Sequence, residues 1–248
     1  MTPLAPSAVV TDLAPSGRLR AAFNYGNPVL AMWNPATGAA DGISADLARE
    51  LARCLGVPVD FVPYDAAGKV VAALASDAWD ICFLAIDPLR AADISFTAPY
   101  VVIEGVYMVA DRSPVADNAG IDRSGTRVGV IVGSAYDLFL SRELKQATIV
   151  RASSFDAVLA LWTHGELDCI AGVKPQLEGA ARRVPGLRIL PGRFMAINQA
   201  MGTPRGRDAG AKYLRDFVEE MKRSGFIARA FARLRIEGAS MAPAATAA

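Results

Sequence analysis

Arg90 is the residue whose chemistry is plainest. It follows a continuous apolar run, residues 80–86, with the composition of a strand buried on both faces, and Asp87-Pro88 turns the chain just before it. That places Arg90 one step beyond the carboxyl end of the strand. A guanidinium is planar, stays charged at any working pH and can meet a carboxylate with two parallel hydrogen bonds. The same residue also reads as a solvated arginine in the first turn of a helix. A second candidate is the stretch 128–137, where a strand passes through Gly133 into a helix opening at Ser134-Ala135. Helix N-termini bind anions through unpaired N–H groups, yet Ser134 and Asp137 have the spacing of a capping box that would satisfy those donors internally. His164, the only histidine, precedes Gly165 at a helix end and has no nucleophile or metal-ligand partner at a recognisable spacing. No phosphate loop or dinucleotide fingerprint occurs. No cofactor and no metal are expected.

The elements that must position these residues alternate along the chain. A strand at 17–23 leads into a loop rich in Asn, Pro and Gly, which starts at Asn24 and Tyr25 and carries Trp33. Ser44 is expected to cap a helix with Leu47, Leu51, Cys54 and Leu55 at helical spacing, stopped by Gly56. A strand at 57–63 and a short helix at 69–76 precede the buried run. The alternation resumes with strands near 128–132, 148–151, 168–172 and 187–190, separated by helices at 134–144, 154–163 and 176–183. A strand at 194–201 and two helices, 206–223 and 226–234, close the pattern. Such alternation predicts α/β architecture with mainly parallel sheets covered by helices. The polar break at 111–125 divides the elements into two sets. Residues 17–109 with 201–238 are expected to form one lobe and residues 110–200 the other, with 1–16 a disordered leader and 239–248 a disordered tail. Two chain crossings make a hinge, and ligands of open α/β sheets sit outside the carboxyl ends of strands, so a cleft between the lobes is the expected site.

Composition narrows the partners. The chain has 248 residues, 26 basic and 25 acidic, for a net charge of +1. That supplies no basic field for nucleic acid. No stretch approaches the roughly 20 apolar residues of a membrane span. Residues 1–15 lack the basic start and unbroken apolar run of a secretory leader. Either a leader has been removed or the protein is cytoplasmic. Cys54, Cys82 and Cys169 are odd in number and sit in apolar patterns, which reads as core packing.

Several stretches, taken in order, resemble the family 3 extracellular solute-binding proteins of polar amino-acid ABC importers. They are 17–20, Gly42 to Ala48, Trp79 through Arg90, Phe96 to Tyr100, Gly165 to Asp168, and Phe217 with Ser224-Gly225-Phe226. The resemblance implies a two-lobed type II periplasmic-binding-protein fold, a monomer, a periplasmic location and an importer permease as partner. It implies that Arg90 binds a ligand carboxylate, helped by Phe83, Ala85, Asn24 and Tyr25 in one lobe and Ser134-Ala135 in the other. The family acid that receives an α-ammonium falls near Val173-Lys174, where this chain has a lysine. A dicarboxylate or amine-free acid is therefore favoured over a standard amino acid, unless Glu104 receives the amine. The resemblance extends to cyclohexadienyl dehydratases, for which Glu104 and Glu178 are the candidate acids, and a cytoplasmic sensor is the third reading.

Overall fold

A computed structural model describes residues 5–236 and 238–244. In chain order its elements are α1 (Ser7–Leu13), β1 (Leu19–Asn24), β2 (Met32–Asn34), β3 (Ala39–Asp41), α2 (Ile43–Leu55), β4 (Val59–Tyr64), α3 (Ala67–Ala72) and β5 (Ile81–Ala85). There follow β6 (Ile94–Phe96), β7 (Val101–Ala110), β8 (Arg127–Ile131), α4 (Ala135–Glu143), β9 (Thr148–Ala152), α5 (Phe155–Thr163) and β10 (Cys169–Val173). The last are α6 (Lys174–Arg183), β11 (Leu187–Ile189), β12 (Met195–Pro204), α7 (Asp208–Arg223), α8 (Phe226–Leu234) and β13 (Ala239–Met241). The chain divides into two compact units, the first running to Val102 and resuming over Asn198–Ile236 and again from Ser240, the second spanning Ile103–Ile197 and including Gly238 and Ala239.

In unit 1, β4, β1 and β5 run parallel, and β12 returns antiparallel to β5 with β6 on its other side. Strand periodicity sorts the side chains. Ala22, Cys82 and Leu84 share a core with Val70, Trp79 and Ile94, while Phe23 faces the opposite core with Ala31, Ala40 and Ala45. Unit 2 repeats the plan: β9, β8 and β10 are parallel, and β7 runs antiparallel to both β10 and β11. Its core joins Val106 and Met108 of β7 to Val158, Leu167, Ile170 and Leu177. Each unit thus has a parallel, helix-connected set of strands and an antiparallel remainder.

Several expectations need correction. The leader is ordered from residue 5: α1 packs on α7, Gly210 N–H donates to the Asp12 carboxylate, and Leu13 is fully buried. An apolar pair, Val9 and Leu13, four apart on one helix face, supplies the anchor. The tail is strand β13 at its start, and Ala242 is buried with its N–H on the Tyr100 carbonyl; residues 245–248 lie outside the described ones. Ser44 is not the cap of α2. Gly42, at φ 109°, flanks the helix, and Ser44 is buried inside it with its hydroxyl 3.2 Å from that of Tyr100. A Cβ on Gly42 would fall on the Leu30 carbonyl, so the turn demands glycine there. Gly56 does end the helix in the left-handed conformation.

Candidate ligand-binding site

Because β1, β4 and β5 are parallel, their carboxyl ends lie along one edge of unit 1. Asn24 is the last residue of β1, and Tyr25, Asp65, Ile86 and Arg90 follow the strand ends. Tyr25, Ile86 and Leu89 are exposed there although large and apolar, Leu89 by 64%. Sequence reasoning missed Ile86 and Leu89, whose only signal is that they follow the end of a buried strand. Arg90 opens a short 3₁₀ turn and is only 3% exposed. One of its terminal nitrogens donates to the Ala85 carbonyl at 2.9 Å, which fixes the direction of the fork. Burial lowers the basicity of its guanidinium, and nearby Asp87 opposes that shift. The turn itself is built by the Asp87 carboxylate, which accepts the Leu89 N–H at 2.9 Å.

The other expected residues of this unit serve mostly as frame. Phe83 is buried edge-on against Tyr100, with ring centroids 6.2 Å apart. Ala85 contributes the carbonyl that holds Arg90. The Asn24 side chain accepts the Gly26 N–H at 3.1 Å, and a Cβ on Gly26 would collide with the Asp65 carbonyl. Asn24 therefore shapes a tight loop, and Tyr25 is the exposed member of the pair.

In unit 2 the carboxyl ends of β8 and β10 lead to Val132-Gly133-Ser134 and to Lys174. The Ser134 hydroxyl accepts the Asp137 N–H at 3.1 Å, the expected cap. The reciprocal bond of a capping box is shifted by one residue: the Asp137 carboxylate accepts from the Gly133 N–H at 2.8 Å and from Arg151 at 2.9 Å. Ala135 is the first helical residue behind this cap. Val132 is exposed at the same strand end and was not foreseen.

Lys174 opens α6, and its ammonium donates to Glu104 at 2.7 Å. That hydrogen bond, above other effects, raises the basicity of Lys174. Arg193 stands 3.8 Å from the other oxygen of Glu104. Sequence reasoning missed Arg193, which lies 89 positions from Glu104 (193 − 104) in a turn without a motif. Phe194 meets the Tyr107 ring at a tilt and stacks on Phe139 in the same unit, with centroids 4.4 and 6.1 Å apart. Strand alternation puts Tyr107 on the opposite face of β7 from Glu104.

Among the described residues no group of acidic, histidine or cysteine side chains could hold a metal ion, and no helix is long and apolar enough to cross a membrane. The sequence model of the bacterial extracellular solute-binding proteins, family 3, matches residues 19–234. No curated protein matches the sequence. Solved structures resemble the fold. A P235GK mutant of the arginine-binding protein ArgBP from T. maritima superposes with a TM-score of 0.77 at 19% identity, covering 92% of this chain and 100% of that one. An ancestral amino acid-binding protein described as a precursor of cyclohexadienyl dehydratase gives 0.76 at 19%, over 90% and 97%. A protein of Wolinella succinogenes, described as the binding component of an ABC transporter and complexed with lysine, gives 0.74 at 20%, over 88% and 95%.

Proposed function

Since the chain belongs to the bacterial extracellular solute-binding proteins of family 3, we propose that it captures a small carboxylate-bearing solute, without turnover, for delivery to an ABC importer. The observation that carries this reading is Arg90, a cation buried at the carboxyl end of β5 and aimed by the Ala85 carbonyl. Open α/β sheets bind ligands at that edge. Burying a guanidinium is costly unless anions accompany it, and Asp87 is one such anion. A ligand carboxylate would be a second, matched to the planar fork by two parallel hydrogen bonds. Exposed Tyr25, Ile86 and Leu89 supply apolar surface around the charge, the usual makeup of a small-molecule site. A location outside the cytoplasmic membrane follows from family membership as part of this proposal.

The second reading, a lyase on the same scaffold, rests on the structural likeness to a dehydratase precursor. Its best placed acid, Glu104, is held by Lys174, which leaves it poorly placed to give a proton to a leaving hydroxyl. The test separates binding from turnover. Protein unfolded, dialysed and refolded is titrated by calorimetry with small carboxylic acids and with their methyl esters, and the solutions are then analysed by mass spectrometry. Saturable binding of acids, weak binding of esters and unchanged solute are expected. Esters binding as well as acids, or a solute converted to product, would contradict the proposal.

A further inference from the structure

Helices α2 and α8 of unit 1 face each other across an open groove of about 400 Å³. On α2, Asp46, Arg49, Glu50 and Arg53 stand at i, i+3, i+4 and i+7, so they share one face, beside the apolar face that Leu47 and Leu51 turn to the core. On α8, Phe226, Arg229, Ala230 and Arg233 repeat that spacing. Four arginines therefore meet two acids. The acids sit deep: the Asp46 and Glu50 side chains are 22% and 21% exposed, whereas those of Arg49, Arg53 and Arg233 are 46%, 59% and 49% exposed. Nor do the acids exhaust the cations. Arg53 spends its Nε and one terminal nitrogen on Glu50, and Arg233 spends one terminal nitrogen on Asp46 and on Asp41 of β3. Arg229 bonds the Ser224 carbonyl, and among the described residues no carboxylate lies within ion-pair distance of it. A guanidinium carries five N–H donors, so each of these three keeps donors unspent at the mouth of the groove. Ion pairs that matched one another would leave a neutral surface; this groove keeps a positive one.

Arg233, near the end of α8, reaches Asp46 in the first turn of α2, so the two helices run antiparallel. Arg49 and Arg233 thus share Asp46 toward one end of the groove, and Arg53 and Arg229 lie toward the other. Four residues of helix separate the two pairs, about 6 Å along the axis. Between them Ala230 is small and buried, which leaves the space open. We propose that this groove is a second ligand site, for a small molecule carrying two or more anionic groups roughly 6 Å apart, of the polyphosphate or polycarboxylate class. Its volume lies within the span of small-molecule sites, about 300–1,000 Å³. Helix α2 passes through Gly56 into β4, so the Arg53 end of the groove lies by the amino end of β4, at the opposite sheet edge from Arg90. The two sites are separate, and this one does not depend on capture of a solute at Arg90.

The test is a calorimetric titration of the refolded full chain, at constant ionic strength, with tripolyphosphate, with citrate and with orthophosphate. Saturable binding of tripolyphosphate or citrate, about tenfold or more tighter than that of orthophosphate, is expected, and the tighter of the two identifies the source of the anionic groups. Arg229→Ala should weaken that binding about tenfold. Glu50→Gln, which removes a competing anion from the groove, should tighten it, a gain that a merely structural role for the residue would not produce. Arg90→Ala, and Arg183→Ala at an exposed arginine in the last turn of α6, should bind as wild type does. Neither polyanion binding more tightly than orthophosphate, a folded Arg229→Ala protein of unchanged affinity, or an equal loss in Arg183→Ala would overturn the inference. A loss confined to Arg90→Ala would overturn it as well, by placing the anion at the edge of the sheet and not in the groove.

Discussion

Asp80 shows what a buried charge requires in this protein. Its carboxylate is fully buried and accepts from the Arg20 backbone N–H at 3.0 Å, from the Arg20 guanidinium and from Arg207, each at 2.8 Å. The Thr203 hydroxyl bonds its carbonyl, so one residue ties β1, β12 and the approach to α7 together. Asp80→Ala would leave Arg20 and Arg207 with only the exposed carboxylate of Asp77, and removing one partner of a buried pair typically costs about 3–5 kcal/mol. Arg20 and Arg207 are partly exposed, so the lower end is expected in urea denaturation. A loss below about 1 kcal/mol, the range of a surface pair, would contradict it. The sequence places Asp80 at the start of a buried strand but cannot show its partners, 60 and 127 positions away. The same limit applies to Glu104 and Lys174, 70 positions apart. Each was legible as a candidate, but their mutual engagement was not. Arg90 was legible because its signal is local: a buried strand, a turn and a charge in one short stretch.

At the scale of elements, local chemistry again decides what could be read. Helix α8 falls on its expected residues because Ser224-Gly225 breaks the chain before it, and Gly225 adopts φ 72°. The cap at Ser134 holds as its sequence suggests, and Ser154, expected only to begin a helix, caps α5 by accepting the Ala157 N–H. Strand β7 was missed, although Val101, Val102, Ile103, Val106 and Val109 make it rich in β-branched residues. It is an antiparallel return strand, so the strand–helix alternation used to find the others does not flag it. The loop beyond it carries a further device. The Asp122 carboxylate accepts the backbone N–H groups of Lys145, Gln146 and Ala147, which pins the segment entering β9. Those bonds hold its carboxyl below the ordinary 3.8. A depressed folded value means the contribution is complete above the unfolded value and is lost as pH falls through the folded one. Thermal melts of wild type and Asp122→Ala should therefore differ at about pH 7 and converge toward about pH 2. A difference independent of pH would mean that the carboxylate's charge contributes nothing.

For the whole molecule, two units were expected and two are found, with different boundaries. Before the tail, the chain passes between them at Val102–Ile103 and Ile197–Asn198; the second lies within the expected 197–200, whereas the first was expected near 109–111. Both passages fall inside continuous strands, β7 and β12. The first passage has no loop to mark it and lies in a strand that the strand–helix alternation does not flag. Unit 1 is consequently assembled from distant pieces, and Arg90, the proposed carboxylate binder, depends on the register of β5 against β12, Gln199 opposite Ala85. Capture of a carboxylate, as proposed, stands on that arginine. Calorimetric titration of the preferred carboxylate into wild type and into Arg90→Ala and Arg90→Lys, each checked for native circular dichroism, tests it most directly. Truncating one partner of a desolvated charge pair costs about 2–5 kcal/mol, so Arg90→Ala should lose affinity by tens- to thousands-fold, with Arg90→Lys between it and wild type. A folded Arg90→Ala protein that binds the solute as tightly as wild type would remove Arg90 from the site and contradict the central claim.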